Sequence, residues 1–227
     1  TMDTTNTQAF TPLMKEAWQL TKGIKGKIWL STFYMLIAMA IIFALFYAMG
    51  TMTPGSPNLW MFILMAIITS LVYGVFLGGI MMLGVERARS LPVTYKTWTK
   101  YIKYFFYVTC VMFITEILSN LPDLLYPATA QHPQSTSTAL LGIVFMFVFK
   151  FLLLLAVIIT IDQHVNPFTA CWRSAKLMLK NFKLAIKVFL FIILVALVSM
   201  ILIFIPFIWT MPFIVLLISV FYVKITQ

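Results

Sequence analysis

The stretch Ala139-Leu-Leu-Gly-Ile-Val-Phe-Met-Phe-Val-Phe-Lys150-Phe-Leu-Leu-Leu-Leu-Ala-Val-Ile-Ile-Thr-Ile161 contains one charged residue and otherwise almost nothing but large apolar side chains. A helix needs about 20 such residues to cross a hydrocarbon core about 30 Å thick, so this segment has the length and character of a membrane span. Comparable runs recur near Ile28 to Met49, Leu59 to Gly84, Ile102 to Leu121, Leu184 to Ile205 and Phe207 to Ile225. The whole composition agrees: 62% of the 227 residues are hydrophobic and 10% are charged, with a mean hydropathy of +1.01. Soluble domains average far more charge, so the expectation is an all-α integral membrane bundle of six transmembrane helices forming three hairpins. The segment Thr1 to Gln19 is polar and amphipathic, unlike a cleaved signal peptide.

The cations fix an orientation. Apart from Lys150, every Lys and Arg falls before the first span, in the second or fourth connection, or near the C-terminus. The other connections hold none, and the positive-inside rule then places both termini in the cytoplasm. The net charge of +10 comes from this one face. Cations set beside spans meet anionic headgroups before they meet anything else, so anionic phospholipids are the expected partner and nucleic acid is not. Pro206 and Pro212 bracket the last turn; we place the turn near Pro206 and expect Pro212 to kink the sixth span.

A short signature recurs at spacings of 78 and 80 residues: Thr21-Lys22-Gly23-Ile24-Lys25, Thr99-Lys100-Tyr101-Ile102-Lys103 and Leu179-Lys180-Asn181-Phe182-Lys183. The first and third copies extend further, pairing Phe10-Thr11 with Phe168-Thr169 and Ala17 with Ala175. The chain reads as one membrane domain of three parallel units, 10–84, 88–161 and 168–227, each a basic amphipathic segment followed by two spans. The competing reading is that Lys-x-apolar-Lys suits any helix approaching a membrane. In the third copy, Phe168, Cys171, Trp172, Ala175, Met178, Leu179 and Phe182 share one helical face, and Arg173, Lys176, Lys180, Lys183 and Lys187 the other. That pattern predicts an interfacial helix. Candidate headgroup ligands are therefore Lys22, Lys25, Lys100, Lys103, Arg173, Lys176, Lys180 and Lys183, with simple anchoring as the alternative role.

Small residues should mark close helix contacts in lipid. Ala40, Ala44 and Ala48 form one stripe and Ser70, Gly74 and Gly78 another, predicting a tight hairpin between the first two spans. Charges within spans face the bundle and pair, so Lys150 is expected to reach Glu116 on the antiparallel neighbour, either as a structural pair or as part of a substrate or proton site. Asp162 and His164, in Asp162-Gln163-His164-Val165-Asn166-Pro167, are read either as a polar site at the inner end of the fourth span or as a cap and exit turn. Cys110 and Cys171 lie at different depths and make neither a disulfide framework nor a metal site. Two histidines and six carboxylates, with no His-Glu-x-x-His, Gly-x-Ser-x-Gly or phosphate loop, leave no catalytic residues, metal site or cofactor to propose.

From Asp162 onward, the order of a polar pair, Pro167, Ala170 to Ala175 with Ser174, Leu177 and Lys180-Asn181 before a long apolar run resembles the membrane domain that precedes the catalytic domain of some glycerophosphodiester phosphodiesterases. Glu16-Ala17-Trp18-Gln19-Leu20 with Lys22-Gly23 is similar in character. The resemblance implies a bacterial inner-membrane bundle near lipid metabolism and transfers no catalytic residue. Three functional expectations follow: a non-enzymatic protein that binds or helps move a lipid or other amphipathic molecule, a scaffold for a membrane protein partner or homo-oligomer, or a secondary transporter using Glu116, Lys150 or Asp162.

Overall fold

A computed structural model describes residues 3–48, 59–125, 136–202 and 207–226, whose regular structure is helical throughout. In chain order these are α1 (Asp3–Leu20), α2 (Lys25–Ala48), α3 (Leu59–Ala88), a 3-10 helix (Trp98–Tyr104), α4 (Phe105–Ser119), α5 (Leu121–Leu125), α6 (Thr136–Leu152), α7 (Ala156–Asp162), α8 (Pro167–Lys180), α9 (Phe182–Ile201) and α10 (Phe207–Thr226). Six stretches are long and apolar enough to cross a membrane: α2, Ile63–Ala88, Trp98–Ser119, Ala139–Asp162, α9 and Ile208–Thr226. The turn expected near Pro206 lies outside the described residues.

The six do not contribute equally to the core. The second helix of each hairpin is the inner one, with between 39% and 61% of its apolar window buried, against 17% to 22% for the first helices. Thus α3, α7 and α10 supply most of the fully buried side chains, among them Ile80, Leu83, Ile158, Ile159, Phe221 and Tyr222. The first helices lie in the grooves between inner ones: α2 touches α3 and α10, α4 touches α3, α6 and α7, and α9 touches α10 and reaches α6 where Phe189 meets Phe151 edge-on at 5.3 Å. The segments ahead of each hairpin follow the same circuit. α1 packs on α9 and α10, with Trp18 against Phe213; Trp98 stacks on Phe76 of α3 at 5.8 Å; α8 packs on α4, α6 and α7.

Glycine governs how closely the elements approach α3, but not where the small-residue stripes predicted. A Cβ on Gly74 would lie 2.0 Å from Thr109 Oγ1 and 2.7 Å from the Phe105 carbonyl, and one on Gly78 would meet Ile161 and Val108. These glycines seat α4 and α7 rather than α2. Ala40, Ala44 and Ala48 are exposed on the outside of α2, because its buried face is Ile28, Ser31, Thr32, Met35 and Phe46.

The decisive stretch of the fourth span is also not one helix. A turn at residues 153–155 separates α6 from α7, and Ser174 of α8 stands at the break, donating to the Leu152 carbonyl at 2.7 Å and accepting from the Leu155 amide at 3.2 Å. With no water at that depth, interrupted backbone must find protein partners, and one hydroxyl supplies both. α8 therefore turns Ala170, Ser174 and Met178 to the bundle, leaving Phe168, Trp172 and Leu179 exposed on its outer side. Pro212 sits inside α10 and cannot donate to Ile208; the Trp29 indole donates to that freed carbonyl at 2.8 Å.

Candidate headgroup site at the basic face

The inner helices end on the basic side in two unusual turns. α3 stops in a Schellman arrangement, with the Ser90 amide donating to the Arg87 carbonyl, the Leu91 amide to that of Glu86, and Ser90 left-handed at φ 59°. That turn puts Arg89 at the helix end. α7 stops at Gln163, and His164 takes φ 52° before Asn166, whose side chain accepts from the Thr169 amide at 2.8 Å and starts α8 with Pro167 in its first turn. The cap-and-turn role of this segment is thus present, and the same turn carries the polar chemistry. Asp162 and His164, two residues apart, line one cavity because the left-handed step at His164 redirects the chain.

Arg89 meets Asp162 through a bidentate pair, Nη1 to Oδ1 at 2.5 Å and Nη2 to Oδ2 at 2.8 Å. The Tyr222 hydroxyl donates to the same Oδ2 at 2.6 Å. One carboxylate therefore ties together the ends of α3, α7 and α10. The paired carboxylate pushes the Arg89 guanidinium pKa above its ordinary value, so it stays charged throughout any working pH. Beside this knot, the Tyr101 hydroxyl donates to Glu86 Oε1, which also takes Lys100 Nζ at 3.3 Å. Tyr104 stacks on His164 with ring centroids 5.5 Å apart and its hydroxyl 2.9 Å from Nδ1. Lys103 stands over the Tyr104 ring at 5.0 Å.

All of these side chains but the buried Tyr222 line an open cavity of about 330 Å³ floored by Met82 and Ile161. Three cations (Arg89, Lys100, Lys103) face two carboxylates (Glu86, Asp162), so with His164 neutral the cavity carries one net positive charge. A second concavity, of about 560 Å³, is lined by the neighbouring stretches of chain. Lys103, Tyr104 and His164 line the cavity; Phe106, Tyr107, Asn166, Pro167 and Phe168 line the apolar groove, which continues past Thr109, Cys110 and Phe113.

Four of the residues singled out from sequence, Lys100, Lys103, Asp162 and His164, come together here. The others stand elsewhere. Lys22 gives its carbonyl to Arg87 and Lys25 lies 5.9 Å from the Trp18 ring, both at the α1–α2 corner. Arg173 donates to Gln163 at 2.7 Å, while Lys176, Lys180 and Lys183 are exposed along α8 and the start of α9. Away from the basic end, Lys150 Nζ lies 2.6 Å from Glu116 Oε1 and the Asn120 amide donates to Oε2 at 3.2 Å. Arg89, Glu86, Tyr101, Tyr104 and Tyr222 carry much of the site without having been picked out. Arg89 and Glu86 were visible as charges at a span's end; the three tyrosines carried no signal separating them from interfacial aromatics. No protein family, characterised protein or solved structure matches this chain.

Proposed function

We propose that this membrane protein is a non-enzymatic binder of an anionic phospholipid, oriented with its basic face to the cytoplasm of a bacterial inner membrane. The observation that carries the reading is the cavity bearing Arg89, Lys100 and Lys103, together with an apolar groove lined by the chain segments next to its own. A phosphodiester would neutralise the cavity's excess charge, accepting from Lys100 and Lys103, while an acyl chain lies along Phe106, Tyr107 and Phe113. Tyr104 and His164 share one hydrogen bond, so whichever of them accepts it keeps a donor for a glycerol or headgroup oxygen. The resemblance to membrane domains of glycerophosphodiester phosphodiesterases supports a setting near lipid metabolism.

Purified protein in mild detergent, washed and then offered equal phosphatidylglycerol and phosphatidylcholine, should retain the anionic lipid at least tenfold in excess by native mass spectrometry. Lys100→Ala/Lys103→Ala should abolish the excess, and Lys176→Ala/Lys180→Ala on exposed α8 should not. Equal retention of both lipids by the unaltered protein would sink the reading.

We also propose that the chain is a threefold internal repeat about an axis along the membrane normal. What supports it, beyond the recurring Lys-x-apolar-Lys signature, is the contact circuit: each lead-in segment packs on the hairpin of the preceding unit, and the first packs on the last. The site then occupies one of three related inter-unit corners, the one between the first and second units.

A further inference from the structure

The turn that ends α3 has a pocket on each side. Besides the headgroup cavity there is an open pocket of about 270 Å³, lined by Gly23, Ile24 and Lys27 at the α1–α2 corner and by Arg87 and Leu91 at the end of α3. Leu91 lines both, so the two are neighbours. The cations of this corner are held by backbone. Arg87 donates from Nε to the Leu20 carbonyl at 3.4 Å and from Nη2 to that of Lys22 at 3.2 Å, closing the end of α1, and Lys27 Nζ donates to the Val93 carbonyl. A carbonyl orients a cation but leaves its charge uncompensated. The carboxylates among the described side chains are engaged elsewhere: Asp162 with Arg89, Glu86 with Lys100, Glu116 with Lys150 and Glu16 with Lys224. The corner pocket therefore carries two positive charges and no negative one, against one net charge in the headgroup cavity. A guanidinium has five N–H groups and an ammonium three, so the carbonyls leave donors on both side chains. Already fixed, these side chains lose little freedom when a ligand arrives.

We infer that this corner is a second binding site, selective for a phosphate group carrying two negative charges. Lys27 and Arg87 together balance such a dianion, whereas a phosphodiester leaves one of the two cations unmatched. Its terminal oxygens accept from a guanidinium and an ammonium at once, the arrangement in which charge-assisted hydrogen bonds are strongest. The headgroup cavity, with one net charge, matches the diester instead, and the two sites stand or fall separately. Two sources carry the chemistry that the corner selects: the monoester head of phosphatidic acid in the adjoining leaflet, and free phosphate in the water beside it.

The test uses the whole chain with Lys100→Ala/Lys103→Ala, which strips the neighbouring cavity of both lysines, at pH 8, where a phosphate monoester with a second pKa of about 6 is doubly charged. Washed in mild detergent and offered equal phosphatidic acid and phosphatidylglycerol, this protein should retain the monoester at least tenfold in excess by native mass spectrometry. In a second arm, equilibrium dialysis against radiolabelled inorganic phosphate should show saturable binding. Adding Lys27→Gln/Arg87→Gln should remove both signals. Lipid retained without free phosphate bound makes the membrane the source, and free phosphate bound without lipid retained makes it the solution; either upholds the site. If the added pair is not recovered as monodisperse protein, Lys27→Gln alone carries the test and should weaken whichever ligand is held at least threefold. Neither ligand held, or binding unchanged in a recovered variant, overturns the corner site. Phosphatidylglycerol retained over phosphatidylcholine by the unaltered protein would then leave the headgroup cavity standing while the corner falls.

Discussion

Asp162 is the residue on which the basic end of the bundle depends, since its carboxylate accepts from Arg89 and Tyr222 on two other inner helices. Removing one member of a buried pair costs roughly 3–5 kcal/mol because the partner is left charged and unpaired. Here the Arg89 side chain is 37% exposed and water takes over part of that role, so Asp162→Asn should cost about 2 kcal/mol. Tyr222→Phe leaves the ion pair whole and removes the hydrogen bond to Asp162 with the long one accepted from Gln163 at 3.4 Å, about 1 kcal/mol in all. Thermal midpoints in one detergent, followed by size-exclusion recovery, should rank the two in that order, and the reverse ranking would mean that Asp162 is not the tie. Cys171 gives a second residue-scale outcome. Burial pushes its thiol pKa up to about 11, so at pH 8 about 0.1% is thiolate, against about a quarter for a thiol at the ordinary 8.5. Raised pKa means that the reactive form is lost at neutral pH and regained as pH climbs towards 11. In a Cys110→Ser background, maleimide labelling should therefore be slow at pH 8 and rise about tenfold per unit to pH 10; fast labelling at pH 8 would show an ordinary, open thiol.

At the scale of elements, α3 is held by its glycines and the fourth span by a serine from another helix. Gly74→Ala drives a methyl group to 2.0 Å from Thr109 Oγ1 and 2.7 Å from a backbone oxygen, which must push α3 and α4 apart at a cost of about 1–3 kcal/mol. Ala44→Leu, on the lipid-facing side of α2, should stay within about 0.5 kcal/mol. Equal loss of thermal midpoint in both would restore the α2–α3 small-residue hairpin that the stripes suggested. Ser174→Ala strips partners from the Leu152 carbonyl and the Leu155 amide together, so about 2 kcal/mol should be lost and the break between α6 and α7 should become accessible to amide exchange. What could be read from sequence divides along this line. Span positions were legible because lipid demands about 20 apolar residues whatever they pack against. The break at Leu153 to Leu155 was not, since it lies in a run of leucines with no Pro or Gly, and its cause, Ser174, lies 19 residues beyond the Leu155 amide it binds. How the apolar stripe of α8 divides, with Met178 turned to the bundle and Phe168, Trp172 and Leu179 exposed, was not legible for a related reason. A hydrophobic stripe at an interface has lipid as well as protein to face, and periodicity does not distinguish them.

For the whole molecule, charge decides where everything else happens. The pairing of Glu116 with Lys150 followed from the rarity of charge in a span, but Arg89 with Asp162 did not, because both stand at span ends where unpaired charge is tolerated and 73 residues separate them. Only the packing of α3 against α7 brings them together. The fifteen Lys and Arg other than Lys150 fall before the first span, in the second and fourth connections or near the C-terminus, and each near an anionic leaflet contributes about 1 kcal/mol, so reversing the protein in the membrane would forfeit the whole set. No single cluster should therefore control orientation. Neutralising Lys22, Lys25 and Lys27 leaves the two loop clusters intact, and a fluorescent protein fused after Gln227 should still mature in the cytoplasm while alkaline phosphatase inserted at Gln134 stays active outside. Neutralising both loop clusters together, Arg87, Arg89, Lys96, Lys100 and Lys103 with Arg173, Lys176, Lys180, Lys183 and Lys187, should instead yield mixed topologies. An active phosphatase at the C-terminus of the unaltered chain would reverse the orientation, moving the cavity to the outer leaflet and its lipid partner with it.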